Sequence, residues 1–310
     1  MKIVFLDAKS VGDDIDFSNY HSLGEFVSYH FTTFEQIPER VTDADVIITN
    51  KCLINEQSIG KASKLKLVCV TATGTNNLDK DYLDSHGIAW RNVAGYSTES
   101  VAQHTFAMLF YLLEKLAYYD HYVKDGKYAN DTCFTHFAEH FHEICGKTWG
   151  IIGLGNIGRR VADIAKAFGV HVLYYSTTGK NTQQDYTRVD LDHLLSTSDI
   201  VSVHAPLTPE TEGLMNAEAF AKMKPSAIFL NAGRGAIVNE EDLANAIENG
   251  VIAAAGLDVL CEEPMNPNSP FLRIKDSKRL LITPHIAWAS VEARTNLMNI
   301  VYHQILEFIG

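Results

Sequence analysis

Short β-branched and apolar runs alternate along the chain with stretches whose apolar residues recur at helical spacing. Residues 2–6, 46–49, 67–70 and 89–92 read as strands in the first third. A second set follows at 148–152, 171–175, 200–203, 227–231, 253–258 and 280–283. Near-continuous apolar strands separated by helices predict parallel sheets covered on both faces, an α/β architecture. A long helix is predicted over 98–120, with Ser97 or Thr98 as its cap and Glu99 and Ser100 in the first turn. Another helix is predicted over 291–308. The polar and aromatic stretch 124–147 lacks periodicity and reads as an irregular connection.

A chain of 310 residues suggests two domains. The apolar share of 46% and charged share of 21% are those of a globular protein. A net charge of −12 with no basic stripe argues against a nucleic-acid partner. No run approaches the roughly 20 apolar residues of a membrane helix, and the apolar start, ended by Asp7, is too short for a signal peptide. The five cysteines are scattered without a CxxC pair, which points to reduced thiols and a cytoplasmic protein.

The strand at 148–152 runs into Gly153-Leu154-Gly155-Asn156-Ile157-Gly158 and then a helical pattern. That is the context in which a GxGxxG holds a dinucleotide. Gly153 allows a tight turn, Gly155 lets a pyrophosphate approach the backbone, and Gly158 allows close helix–strand packing. The helix N-terminus, at Asn156 and Ile157, offers N–H groups to the anion. An acidic residue after the next strand would favour NAD; this chain has Ser176, followed by Thr177, Thr178, Gly179 and Lys180. No carboxylate there repels a 2′-phosphate and no arginine is adjacent in sequence, so NAD is expected with NADP possible.

Three later segments place reactive residues at strand ends: Asn231-Ala232-Gly233-Arg234-Gly235, Leu257-Asp258 with Glu262-Glu263-Pro264, and Thr283-Pro284-His285. In an open parallel sheet, ligands bind beyond the carboxyl ends of the strands. Arg234 is a permanently charged planar fork suited to a carboxylate. His285 can give a proton to a keto oxygen and take it back. Glu263 beside it would favour the protonated imidazole and fix its tautomer.

With this order of motifs, roughly residues 40–310 resemble the D-isomer-specific 2-hydroxyacid dehydrogenases. The motif wording is most similar to glycerate dehydrogenases, also called hydroxypyruvate reductases, through Ala72-Thr73-Gly74-Thr75-Asn76-Asn77, Gly95-Tyr96-Ser97-Thr98-Glu99 and His285-Ile286-Ala287-Trp288. The resemblance implies two Rossmann-like domains with a cleft between them: a flavodoxin-like substrate domain, 1–98 with 284–310, and an NAD(P)-binding domain, 99–283. It implies Arg234, Glu263 and His285 as the catalytic set and Asp258 near the nicotinamide carboxamide. It places Ala205, Pro206, Ala232, Arg234 and His285 along the cofactor, and Thr73 and Gly74, again with Arg234 and His285, on the substrate. The activity it implies is NAD(P)-dependent interconversion of a small 2-keto acid and its D-2-hydroxy acid, with hydroxypyruvate or glyoxylate expected.

The resemblance also implies a homodimer through the cofactor domain, for which Phe106, Met108, Leu109, Phe110 and Tyr111 of the long helix are the expected surface, and closure of the first domain on substrate. No metal is expected. His136 and His140 would align on a helix, but the neighbouring aromatics favour packing. The alternatives are a cofactor-sensing binding protein on the same scaffold, a D-lactate-type enzyme for another keto acid, and a formate dehydrogenase. Glu263 disfavours the last, because that branch is expected to carry glutamine in its place.

Overall fold

This computed structural model describes residues 1–180 and 185–310. The chain folds into two compact units, Met1–Ser97 with Ala289–Gly310, and Thr98–Trp288.

The first unit is built on five parallel strands: β1 (Lys2–Phe5), β2 (Glu25–Ser28), β3 (Val46–Thr49), β4 (Leu67–Val70) and β5 (Ala89–Asn92). Their order is β2-β1-β3-β4-β5. This is the flavodoxin-like winding, in which the chain reverses direction between β1 and β3. β3 and β4 are buried throughout, as their unbroken apolar runs predict. β2 was not expected. It is an edge strand, half-covered, and its sequence Glu-Phe-Val-Ser is too short and mixed to stand out. The Val291–Ile309 helix belongs to this unit: the Tyr20 hydroxyl donates to the Met298 carbonyl at 2.6 Å, and Arg294 pairs with Asp14.

The second unit holds seven parallel strands: β6 (Thr148–Ile152), β7 (His171–Tyr175), β8 (Thr187–Arg188), β9 (Ile200–Val203), β10 (Ile228–Asn231), β11 (Ala254–Leu257) and β12 (Leu280–Ile282). The order β12-β11-β10-β9-β6-β7-β8 is a doubly wound Rossmann sheet with its reversal between β6 and β9. Alternate strand residues feed opposite cores. Ile152, Val203 and Phe229 pack under Leu194, Phe220, Leu243 and Ile247. Ile151, Ile200 and Leu230 pack under Phe106, Leu109, Val161 and Ala165. The two-residue β8 escaped the sequence reading because so short a polar strand has no period.

The helix expected over 98–120 is two helices, Thr98–Leu113 and Leu116–Lys124. Lys115 between them takes a left-handed φ of 56° and its ammonium donates to the Lys278 carbonyl. The backbone thus changes direction without a glycine or proline to announce it. A second correction follows: Phe106, Met108 and Leu109 are buried inside this unit, with Phe106 against Trp149 and Phe168, and are not a surface for a partner. Residues 131–147 form no helix, so His136 and His140 are not aligned on one. His136 stacks on Tyr122, with ring centroids 3.7 Å apart, and shares a 2.9 Å hydrogen bond with the Tyr118 hydroxyl.

Candidate active site

The glycine turn lies at the reversal point of the second sheet. Gly153 has φ +92°, and a Cβ there would come within 2.7 Å of the Ala205 backbone, in the segment that follows β9. Only a bare Cα lets these two segments cross. A Cβ on Gly158 would meet the Gly153 carbonyl at 2.2 Å, so this glycine brings the Asn156–Ala167 helix close to the turn. Around Gly155, which caps that helix, a Cβ would meet nothing within 4 Å. Open space in front of twelve residues of aligned backbone dipole fits a pyrophosphate. Asn156 and Ile157 lie within the turn by sequence, and Ala205, followed by Pro206, packs against it at Gly153.

Ser176 is buried at the end of β7. The sequence shows no arginine beside it, but the fold supplies one. Arg188, in β8, donates to the Gly179 carbonyl at 3.2 Å, so a guanidinium reaches the segment carrying Ser176 and Lys180. Sequence reasoning missed it because pairing of β8 with β7 sets the contact.

The three reactive residues follow adjacent strands, β10, β11 and β12, at the carboxyl edge of the same sheet. Asn231 ends β10 and closes the arginine loop: its Oδ1 accepts the Gly233 N–H and its Nδ2 donates to the Arg234 carbonyl, each at 3.0 Å. Asn231 was not singled out from sequence, although a polar residue ending a buried strand is the signal for it. Ala232 sits within this loop. The next residue after Arg234 is tightly confined: a Cβ on Gly235 would lie 2.0 Å from the Leu260 carbonyl carbon. The arginine loop is thereby pressed against the segment that leads to Glu263.

Glu263 and His285 are paired, Oε2 to Nδ1, at 2.7 Å. The other oxygen, Oε1, accepts the Leu260 N–H at 3.0 Å. A carboxylate only accepts, so Nδ1 carries a proton and Nε2 is the nitrogen turned to other work. His285 itself has φ 54°, a left-handed backbone uncommon outside glycine. Asp258, almost fully buried, holds it there. Its carbonyl accepts the His285 N–H, Oδ1 accepts from Ile286 N–H and the Thr283 hydroxyl, and Oδ2 accepts from Ala287 N–H, all within 2.7–2.9 Å.

His204, after β9, is enclosed. Its Nε2 faces the Ser202 hydroxyl at 3.0 Å, which also receives the Trp149 indole N–H. Burial lowers its pKa from 6.5 to about 4, so it is neutral and serves as packing.

In the first unit, the loop after β4 is tied to β5. The Thr73 hydroxyl donates to the Val93 carbonyl at 3.0 Å and Asn92 donates to the Thr73 carbonyl at 2.7 Å. With its hydrogen spent, the hydroxyl can only accept.

A family model described as D-isomer specific 2-hydroxyacid dehydrogenase, NAD binding domain, matches residues 106–287. The chain belongs to that family. A hydroxypyruvate reductase of Blautia hydrogenotrophica is 38% identical to this dehydrogenase over 100% of the chain and 97% of its own length. A crystal structure of D-lactate dehydrogenase from Aquifex aeolicus, complexed with NAD and lactic acid, is 27% identical and superposes with a TM-score of 0.84, covering 99% of this chain and 95% of that one. An acyclic imino acid reductase in complex with NADPH and D-Arg is 29% identical with a TM-score of 0.86, covering 100% and 97%. The dehydrogenase therefore uses a nicotinamide cofactor, for which the glycine turn is the fitting site.

Proposed function

We propose that this dehydrogenase reduces hydroxypyruvate or glyoxylate to the corresponding 2-hydroxy acid and runs the reverse reaction, with the D-isomer where the product is chiral. The observation that carries the reading is the 2.7 Å Glu263–His285 pair on the strand edge that also bears Arg234. Its small-acid preference rests on the motif wording and on the similarity to a hydroxypyruvate reductase.

In this reading Arg234 binds the substrate carboxylate through charge-assisted, fork-like hydrogen bonds. Thr73 and Gly74 of the first unit are assigned to substrate binding through their backbone N–H groups. His285 delivers the proton on Nε2 to the keto oxygen, and Glu263 holds the proton on Nδ1 and balances the imidazolium charge. The bound nicotinamide supplies the hydride. Gly153, Gly155, Asn156, Ile157 and Gly158 cradle its pyrophosphate, and Ala205, Pro206 and Ala232 line its path. Asp258 mainly serves the loop that carries His285, with acceptor capacity left for the cofactor carboxamide. Ser176 and Arg188 favour a pocket that takes NADPH as well as NADH, since one brings no repelling charge and the other a phosphate-binding fork.

The five cysteines are all free, which supports a cytoplasmic setting. We assign a homodimer built on the second unit. Its support is the exposed aromatic set Phe134, Phe137 and Phe141, at 88%, 75% and 52% exposure, in place of the buried residues of the Thr98–Leu113 helix. A monomer mass by light scattering would reject it.

The function is tested by following oxidation of NADH and of NADPH with hydroxypyruvate, glyoxylate, pyruvate and phenylpyruvate. Turnover of the two small acids that is lost in His285→Ala is the expected result. A clear preference for phenylpyruvate rejects the substrate assignment. No turnover with any acid, alongside retained cofactor binding, favours a binding protein on this scaffold.

A further inference from the structure

The loop that carries His285 is anchored from a helix that contributes none of the three reactive residues. His104, in the Thr98–Leu113 helix, places Nε2 3.0 Å from the Thr283 hydroxyl and 3.6 Å from Asp258 Oδ1. The Thr283 hydroxyl lies 2.7 Å from that same Oδ1. A threonine hydroxyl has one hydrogen, and an ionised carboxylate can only accept. The hydrogen therefore goes to Asp258, and the Thr283 oxygen must accept from His104. This fixes a proton on Nε2 and a direction for the chain: His104 N–H to Thr283 O–H to the Asp258 carboxylate.

Asp258 is 1% exposed and His104 is largely covered. Bonds in such a site are stronger than in water, and leaving one member unpaired costs more. The Asp258 carboxylate also takes the N–H groups of Ile286 and Ala287, on the far side of His285, while the Asp258 carbonyl takes that of His285 itself. The left-handed backbone at His285 is therefore clamped before, at and after the residue, and His104 supplies the outermost donor.

We propose that His104 is a positioning residue for His285, acting through Thr283 and Asp258 on the backbone from which the imidazole projects. This rests on the proposed role of His285. The bonds of the Asp258 carboxylate run to Thr283, Ile286 and Ala287, on the loop of the proton donor, so the relay bears on the orientation of that donor and not on the affinity for the acid.

The test begins on the unaltered protein. Nitrogen-15 spectra of the histidines should show His104 bearing a proton on Nε2 at neutral pH; a bare Nε2 would overturn the direction of the chain. Next, His104→Ala should lower kcat about tenfold or more while changing KM for the keto acid and the dissociation constant for NADH less than threefold. His104→Gln, which restores an N–H donor, should recover most of the loss. Thr283→Val should match His104→Ala, and the double variant should be no worse than either alone, because both cut one chain. Full activity in His104→Ala, or losses that multiply in the double variant, would overturn the proposal. These outcomes differ from failure of the dehydrogenase reading, in which wild type would lack turnover or His285→Ala would keep it. Should His104→Ala not fold, His104→Gln and Thr283→Ser, expected near wild type, against Thr283→Val still decide the matter.

Discussion

Glu263 grips His285 by one oxygen and its own loop by the other, with Oε2 2.7 Å from the imidazole and Oε1 3.0 Å from the Leu260 N–H. The carboxylate is thus fixed in rotation before any substrate arrives. Glu263→Gln can satisfy only one of those donors, since its amide nitrogen would face the other. We expect kcat/KM for the keto acid to fall about 10- to 100-fold, the scale of losing part of a proton-transfer system, with little change in NADH affinity by fluorescence titration. Unchanged kcat/KM would reduce Glu263 to a loop brace.

Gly235 tests the packing that brings the arginine loop to the Glu263 segment. The added methyl of Gly235→Ala would overlap the Leu260–Cys261 backbone at 2.0–2.4 Å, and backbone cannot step aside as a flexible side chain can. Overpacking of this kind costs about 1–3 kcal/mol. Thermal unfolding should show a lowered Tm, and the residual activity a raised KM for the keto acid, as Arg234 is displaced. A Tm equal to wild type would mean the two segments separate freely.

In the proposed reading, cofactor choice falls to Arg188 and Ser176. Arg188→Ala should raise KM for NADPH about tenfold, the scale of one charge-assisted contact, and leave KM for NADH within a factor of two. Ser176→Asp should shift preference toward NADH, by acceptance from the ribose hydroxyls and repulsion of a 2′-phosphate. Equal effects of Arg188→Ala on both cofactors would show that the arginine only braces its loop.

Acid stability should carry the mark of His204. Its folded pKa is lowered by burial from 6.5 to about 4, so the unfolded chain binds a proton that the folded chain refuses. The stability is fully present above pH 6.5 and is lost as pH falls toward 4, by about 3 kcal/mol at most. Urea unfolding at pH 7 and pH 4.5 should show a larger loss for wild type than for His204→Asn. Parallel losses would place the acid sensitivity elsewhere.

The chain disclosed its sheets and the strand-end residues of the candidate site for a physical reason. Parallel strands covered on both faces are apolar almost throughout, so β3, β4, β6 and β9 to β12 stand out, and polar residues beyond their carboxyl ends stand out in turn. Arg234, Glu263 and His285 are visible on those grounds. Features set by tertiary contact were not. The left-handed turn at Lys115 splits a helix whose pattern runs on unbroken. Arg188 reaches Gly179 only after β8 pairs, and Asn231, Thr283 and His104 gain meaning only when their partners lie beside them. The apolar stripe of the Thr98–Leu113 helix was visible, but nothing in its spacing separates an internal core from a surface for a second copy.

The left-handed backbone at His285 sets local strain against the placement of its imidazole. A histidine there carries a strain of order 1 kcal/mol that glycine would not. His285→Gly would relieve that strain but would also free the unfolded chain and remove the imidazole paired with Glu263. The bonds from Asp258 hold the histidine in a backbone conformation that its side chain disfavours, so loosening them would let the backbone relax and carry the imidazole away from Glu263.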